Sequence, residues 1–336
     1  MDLVPVPQVK RQLPPQLVAP IRPVDDLPQI LAAGGIARFD ARFQPNNGLF
    51  QWSLDDWERR IGHHTVRHHG LPEKYRAQVD AYLASCKDGV LIDVPSVYPY
   101  EEFAAAPIKV SKLFEEMRRF EGVSLEPTWD RDMRSVEAAR LSIRKLTTYG
   151  VANLRRLNGF SFHYPDVFRK WKTMVHNVWF GTSVGGLHHD AFDNTLIQLS
   201  GRKRVIIYPP NLTDAIAATD VEEHGTGYPR FPATTFLSPS AMGRNKYLKY
   251  FPYYQVDLEP GDGVIIPGRA YHAATATSYD SISINSFLLP DILKGPFAHV
   301  RSVRKTATLA SAFLILNRLS IRLTGRCFRQ GPYEFI

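Results

Sequence analysis

The feature that most constrains the fold is a series of short apolar segments between residues 175 and 290. These segments lie at 177–181, 187–192, 195–199, 202–208, 254–258, 264–266, 271–277 and 281–288. Turn residues such as Ser200-Gly201 separate them, and no helix of the length that a parallel βαβ crossover needs lies between close pairs. The pattern predicts a mainly β core of about eight short strands, arranged as a jelly-roll (double-stranded β-helix) or related barrel.

The regions before this core differ from it in composition. Seven prolines among the first 28 residues resist helix formation and predict an extended arm over residues 1–30. Residues 31–170 are mixed and mostly helical, and they are expected to pack on the barrel. Three helices are predicted there, over 52–62, 72–86 and 110–122. In the first of them, Ser53 is the expected N-cap and Gly62 the expected end.

The barrel is assigned to residues 171–290, with an insertion at about 209–252. This insertion is too long for an ordinary hairpin and is either a lid or substrate-recognition loop, or a structural flap. Residues 291–336 form a basic helical region, in which eight cations face two acids. The tail therefore carries +6 of the net charge of +8, and the rest of the chain is close to neutral. This distribution disfavours nucleic acid as a partner of the chain as a whole. The tail itself is either a solvated helical face or a surface that binds nucleic acid, an acidic peptide or a membrane.

The composition limits the class of protein. At 336 residues and 44% hydrophobic, the chain can bury a substantial core in one elaborated domain or two. Its two cysteines, Cys86 and Cys327, do not suggest a disulfide framework or a cysteine-based zinc site, so a reducing cytoplasm is the expected location. The most apolar stretch, over 306–317, is shorter than the roughly 20 residues that a bilayer needs, which predicts no membrane span.

The residues best suited to hold a metal are His188, Asp190 and His272. In a strand, residues i and i+2 point to the same face, so His188 and Asp190 can converge on one ion while His189 faces away. His272 begins a later predicted strand and can complete the set. Two imidazoles and one carboxylate are typical of non-haem Fe(II) oxygenases, in which three coordination positions stay open. Zn(II), Mn(II) or Ni(II) could occupy the same ligands.

Two further polar residues are predicted to face the barrel interior. Strand alternation places Lys203 with Val205 and Ile207, and a buried lysine is unfavourable unless it meets an anion. The carboxylate of a cofactor or a buried acidic side chain would serve, and the alternative is that Lys203 is exposed. Asn285 lies on the polar side of the strand over 281–288, which indicates a lined cavity or a solvent face.

Taken together, these residues resemble the cupin-like branch of the JmjC 2-oxoglutarate oxygenases, and in particular asparaginyl hydroxylases of the factor-inhibiting-HIF type. The resemblance covers about 175–290. The matching motifs are Trp179-Phe180-Gly181, Leu187-His188-His189-Asp190, Asn194, Gly201-Arg202-Lys203-Arg204-Val205, Tyr208-Pro209-Pro210, Leu258-Glu259-Pro260-Gly261-Asp262, Ile266-Pro267, His272 and Ile282-Ser283-Ile284-Asn285.

The resemblance implies a role for each site residue. His188, Asp190 and His272 would be the catalytic iron ligands, Lys203 would anchor 2-oxoglutarate, and Asn194 and Asn285 would line the cofactor site. Such enzymes also carry a hydroxyl residue shortly before the first histidine, where this chain has Gly185-Gly186. Thr182, Ser183 or a tyrosine from elsewhere would then have to supply that hydroxyl.

The implied reaction is the oxidative decarboxylation of 2-oxoglutarate to succinate and CO₂, coupled to hydroxylation of a C–H bond. The expected substrate is a side chain of a protein or peptide. The alternatives are a small molecule, such as an amino acid or a biosynthetic intermediate, demethylation of N-methyl-lysine, or a non-catalytic cupin-like binding protein. The family also uses helices after the barrel for homodimers, and one apolar stripe of the tail suits that role: Leu309, Phe313, Leu316, Leu319 and Leu323. Packing of the stripe on its own barrel is the alternative.

Overall fold

The computed structural model describes residues 16–43, 46–69, 105–125, 148–165, 167, 173–182, 188–190, 192–213, 216 and 251–288. Three α-helices lie within these ranges: α1 Leu27–Ala32, α2 Leu54–Ile61 and α3 Val110–Arg118. Short 3₁₀ turns cover Val24–Asp26, Asn46–Gln51, Leu154–Arg156 and Pro210–Leu212. The predicted helix over 72–86, most of the insertion and the whole tail lie outside these ranges.

Eleven strands lie within the described ranges and form the framework of the fold. They are β1 Ala37–Asp40, β2 Thr65–His69, β3 Ala105–Lys109, β4 Tyr149–Asn153, β5 Thr173–Gly181, β6 Asp193–Ser200, β7 Lys203–Ile207, β8 Tyr254–Leu258, β9 Asp262–Ile266, β10 His272–Ala276 and β11 Ile282–Leu288. Eight form one sheet in the order β1-β9-β6-β11-β5-β4-β2-β3, and three form a second sheet in the order β10-β7-β8. Every pairing between these strands is antiparallel.

The space between the two sheets is the barrel interior. Leu196 and Val264 of the large sheet pack there against Val205 and Val256 of the small one. This arrangement confirms the predicted mainly β, jelly-roll type of core with few helices. The finer division of the chain at residues 30, 170 and 290 stays a prediction.

Strand β11 shows how the sheet separates two environments. Ile282, Ile284 and Leu288 belong to a large apolar cluster on the outer side of the sheet. Ser283 and Asn285 alternate with them and therefore point the other way, into the barrel. All seven residues of the strand are buried, so its polar inner side faces the barrel interior and not bulk solvent.

Helices α2 and α3 cover the outer cluster. Ser53 caps α2, and a capping box joins its side chain to Asp56, as the sequence predicts for the N-terminus of this helix. Trp57 is fully buried among the apolar residues, and Arg118 of α3 pairs with Asp55 and Glu58 of α2 at 2.6 Å each. The helix predicted over 110–122 is present as α3, but it ends at Arg118, before the expected end at residue 122.

Two further local predictions differ from the structure. The arm over residues 1–30 is not extended throughout, since α1 begins at Leu27, where Pro28 occupies a first-turn position that needs no backbone N–H. The strand predicted over 187–192 is wrong, because its described residues contribute only an isolated bridge at His188. Within the ranges that the structure describes, no helix is long and apolar enough to cross a membrane.

Candidate metal centre and cofactor pocket

The isolated bridge at His188 brings two of the candidate metal ligands together. The backbone N–H of His188 donates to the His272 carbonyl at 3.0 Å, and the N–H of His272 donates to the His188 carbonyl at 2.7 Å. Residues that exchange both hydrogen bonds lie directly opposite each other with their side chains on one side. The two imidazole rings are accordingly 4.6 Å apart between centroids.

Asp190 completes the group. Its Oδ2 is 3.4 Å from His272 Nε2, and its Oδ1 is 3.9 Å from His188 Nε2. One ligand atom from each of the three side chains lies within 4.8 Å of the other two, and no other such group of His, Cys, Asp or Glu occurs in the described part of the chain. The structure thus gathers the predicted residues, although through a bridge and a loop instead of one strand.

The donor set fits Fe(II). The Nδ1–H of His272 donates to the carbonyl of Ala270 at 2.9 Å, which leaves the Nε2 lone pair directed toward Asp190 and His188. Metal-binding histidines are commonly held by such a bond on the second ring nitrogen. With two imidazoles and one carboxylate, the cluster is compatible with iron and would leave open positions for other ligands.

A tight loop over 267–270 joins the two halves of this cluster. Arg269 donates its backbone N–H to the Asp190 carbonyl at 2.8 Å, and Gly268 donates to Oδ1 of Asp193 at 2.6 Å. Arg269 adopts a φ of 72°, which is uncommon for a residue with a side chain and marks local strain. The contacts to Asp190 and Asp193 hold the carboxylate segment beside His272.

His189 faces away from the cluster, as the sequence predicts. Its Nε2 accepts from Arg269 Nη1 at 2.8 Å, and its ring packs edge-on against Tyr271 at 4.9 Å. Burial, reinforced by the Arg269 guanidinium, lowers the pKa of His189 to about 2. His189 is therefore a neutral packing residue beneath the site.

Lys203 lies in the barrel interior. It is 4% exposed, and within the described residues its ammonium makes one hydrogen bond, to Ser283 Oγ at 2.6 Å, and no ion pair. Burial lowers the pKa of Lys203 to about 8. A buried ammonium with no carboxylate partner is unfavourable unless an anion joins it. In the backbone pairing of β7 with β10, Lys203 stands opposite Ala276. Ala276 is four residues from the candidate metal ligand His272, which is about 13 Å along the strand.

Three polar side chains continue from Ser283 along the inner face of the sheet. The indole Nε1–H of Trp179 donates to Asn285 Oδ1 at 2.7 Å, and Asn285 Nδ2 donates to Asn194 Oδ1 at 3.1 Å. Asn194 and Asn285 are both buried. The polar side of β11 is therefore buried in the barrel interior, and the solvent-facing alternative does not apply.

Thr182 occupies a different environment. It is fully buried at the end of β5, and its hydroxyl donates to the Thr148 carbonyl at 3.3 Å. The hydroxyl beside Lys203 belongs instead to Ser283. Ser183 and Gly185-Gly186 lie outside the described residues.

Sequence reasoning missed the importance of three residues. Ser283 shares the alternation that singled out Asn285, so the same pattern could have identified it. Trp179 required knowledge that β5 pairs with β11, where Trp179 stands opposite Ser283. Arg269 gave no signal, because its conformation depends on contacts with a segment about 80 residues earlier.

Comparison with known proteins supports this picture. The model of one protein family, described as the cupin-like domain, matches residues 51–290, which is more than two thirds of the chain. The chain belongs to the cupin-like family. The expected JmjC-type, cupin-like core is confirmed, while the narrower asparaginyl hydroxylase type stays a prediction.

Two curated relatives share part of this cupin-like chain. One is the tRNA wybutosine-synthesizing protein 4 of Neurospora crassa, 28% identical over 139 residues, which are 40% of this chain and 10% of the relative. The other is the tRNA wybutosine-synthesizing protein 4 of Gibberella zeae, 28% identical over 111 residues, which are 33% of this chain and 9% of the relative. The chain spans about a tenth of the length of these relatives.

Proposed function

We propose that this cupin-like protein is an Fe(II)- and 2-oxoglutarate-dependent oxygenase. The observation that carries the proposal is the combination of the His188, Asp190 and His272 cluster with Lys203, which is buried in the same barrel and has no anionic partner among the described residues. The three-residue cluster would hold Fe(II). The buried positive charge of Lys203 requires an anion, and the metal would have open positions for a ligand. A dicarboxylic acid can meet both requirements, with one carboxylate at Lys203 and its other end at the metal.

The chain's own residues would bind and orient the cofactor. Lys203 donates to the distal carboxylate of 2-oxoglutarate, and Ser283 can assist, because its oxygen accepts from Lys203 and its proton remains free to donate. This arrangement would supply the hydroxyl that Gly185-Gly186 cannot. Asn194 and Asn285 line the cavity beside it.

The surroundings of Lys203 are apolar and suit the binding of an anion. When bound, iron supplies the activation of O₂ and the oxidation of 2-oxoglutarate to succinate and CO₂. The chain surrounds this part of the barrel interior with apolar side chains such as Val205, Ile207 and Ile266, all at most 1% exposed. Exclusion of water there strengthens the interaction between Lys203 and a carboxylate.

The proposal predicts succinate formation that depends on Fe(II), 2-oxoglutarate and ascorbate-maintained reducing conditions. Replacing His188 with alanine removes a metal ligand, so we expect metal affinity and succinate formation to fall by more than about 100-fold. His63→Ala is the matched control, because His63 is an exposed histidine outside the cluster. Absence of succinate from the wild-type protein under all these conditions would leave a non-catalytic binding protein as the better description.

The first candidate substrate is a side chain of a protein or peptide, in keeping with the resemblance to asparaginyl hydroxylases. A small molecule is the alternative within the same chemistry. Incubation with a cell extract followed by mass spectrometry separates them, since hydroxylation adds one oxygen atom to either peptides or metabolites. N-methyl-lysine demethylation would instead remove a methyl group.

A second candidate substrate is a nucleoside in tRNA. The specific observation in its favour is that both relatives described above are named for the synthesis of wybutosine in tRNA. This candidate runs against the expectation from charge that nucleic acid is not a partner. Nucleoside mass spectrometry of tRNA incubated with the active protein tests it, with His188→Ala protein as the blank.

We further propose that the protein is a cytoplasmic homodimer joined through residues 291–336. The support is the apolar stripe of that segment and the scarcity of cysteines. Light scattering of the full chain should give twice the monomer mass of 38.1 kDa. A monomer would favour packing of the stripe on its own barrel.

A further inference from the structure

One chain of hydrogen bonds in the pocket has a fixed direction. The indole nitrogen of Trp179 can only donate, so the atom of Asn285 that faces it at 2.7 Å must be the carbonyl oxygen. The amide nitrogen of Asn285 then points at Asn194, whose carbonyl oxygen accepts at 3.1 Å. We call these three residues the amide relay.

The relay leaves Asn194 with one orientation. Because its oxygen is engaged by Asn285, its NH₂ group is the free end, and it makes no hydrogen bond within the described part of the chain. An amide normally flips to suit its surroundings, but the donor-only indole removes that choice. Asn194 therefore offers two donors and no free acceptor beyond the lone pairs already facing Asn285.

The relay lies between the two ends of the proposed cofactor site. Asn285 is two residues from Ser283 on the same face of β11, beside the Lys203 anchor. In the sheet, Asn194 stands opposite Phe287 of β11 and Ile266 of β9. The carboxylate of the neighbouring Asp193 binds the loop over 267–270, which leads to His272. The free NH₂ of Asn194 is thus on the metal side of the anchor.

We infer that Trp179 is a positioning residue that fixes the NH₂ of Asn194 as a donor for a carboxylate oxygen of 2-oxoglutarate. Trp179 acts through Asn285 without touching the ligand. A ligand group that is itself a donor would be rejected at this point, because Asn194 has no acceptor to offer. This inference rests on the proposed function.

The first test is Trp179→Phe, which keeps an aromatic ring and removes the donor. Asn285 and Asn194 can then flip, and we expect the Kd of 2-oxoglutarate to rise about three- to tenfold, as for the loss of one buried hydrogen bond. Zn(II) in place of Fe(II) prevents turnover during calorimetric titration. Iron-site affinity should not change, which separates positioning from collapse of the barrel. An unchanged Kd for 2-oxoglutarate overturns the inference.

The second test reverses the relay without touching Trp179 or Asn194. In Asn285→Asp, one carboxylate oxygen still accepts from the indole. The other oxygen can only accept as well, so Asn194 must turn its NH₂ toward the new carboxylate and present its carbonyl oxygen to the ligand. We expect the Kd to rise about tenfold or more. Asn177→Asp is the matched control, since Asn177 stands directly opposite Asn285 on β5 and adds the same charge outside the relay. Equal effects of the two variants overturn the inference.

A third measurement does not depend on cofactor binding. In metal-free protein labelled with ¹⁵N asparagine and tryptophan, the side-chain NH₂ of Asn285 should exchange slowly with water and that of Asn194 quickly. The reverse order overturns the inference even if Trp179→Phe does not fold. If wild-type protein loaded with Zn(II) fails to bind 2-oxoglutarate, the proposed function fails, and the exchange rates still decide the orientation of the relay.

Discussion

The two faces of the large sheet use the same strands for opposite purposes. On the outer face, Ile282 and Ile284 of β11 meet Trp57 and Leu113 of the covering helices in an apolar cluster. On the inner face, Ser283 and Asn285 of the same strand meet Lys203 and Trp179 through hydrogen bonds. Neighbouring residues along one strand therefore belong to a stability core and to a candidate ligand pocket.

The difference between the two faces shows where the fold contains a destabilising group. Apolar burial on the outer face stabilises the protein without any ligand. The inner face keeps a cation without an anionic partner among the described residues, which destabilises the ligand-free protein. Groups that are poorly satisfied alone but well placed for a ligand are common at functional sites. Substitutions on the two faces should therefore separate folding from binding.

The largest expected effect on folding is that of Trp57→Ala. Trp57 is fully buried and packs edge-on against Trp52 at 4.8 Å and Phe160 at 4.9 Å. We expect the free energy of unfolding to fall by about 3–5 kcal/mol in urea titrations. The folded fraction should keep its affinity for 2-oxoglutarate. Arg59→Ala, at an exposed position of the same helix, is the control and should change stability by less than about 1 kcal/mol.

A Trp57→Ala protein that remained fully stable but lost cofactor binding would contradict the division between the two faces. It would mean that the outer cluster sets the geometry of the pocket directly.

Lys203→Met should produce the opposite pattern. Methionine fills a similar volume without the charge, so we expect the Kd of 2-oxoglutarate to rise about 10- to 100-fold through loss of a charged hydrogen bond. The free energy of unfolding of the ligand-free protein should stay equal or increase, because the substitution removes a buried cation that has no anionic partner in the described part of the chain. Calorimetry and urea titration measure the two quantities. Arg204→Met is the control on the same strand, since that side chain pairs with Asp257 at the surface.

Reduced stability in Lys203→Met would show that the ammonium stabilises the ligand-free fold. In that case the proposal that Lys203 binds an anionic cofactor would lose its main support, which is the unfavourable burial of its charge in the ligand-free protein.

The sequence was informative where local alternation decides the structure. Period-two patterns predicted the strands β7 and β11 and the inward direction of Lys203 and Asn285, and Ser53 predicted the start of α2. It was less informative where distant segments meet. The segment over 187–192 alternates like a strand, but Arg269 binds the Asp190 carbonyl, and the described residues of the segment form only a bridge at His188. Ser283 was on the predicted inner face, yet its contact with Lys203 follows from the closure of the barrel.

The smallest expected effect is the pH dependence of the free energy of unfolding and of cofactor affinity, which reports on the inner face through Lys203. Burial lowers the pKa of Lys203 from 10.5 to about 8 in the folded protein. Between these values the unfolded chain binds more protons than the folded one, so the contribution of Lys203 to stability rises with pH from about 8 to 10.5. The affinity for 2-oxoglutarate should fall over the same rise, because the anchor loses its charge. Other groups titrate in this range, so the measured quantity is the difference between wild type and Lys203→Met in urea titrations at several pH values. Parallel stability profiles for the two proteins would place the ammonium in a solvated environment and contradict the buried anchor.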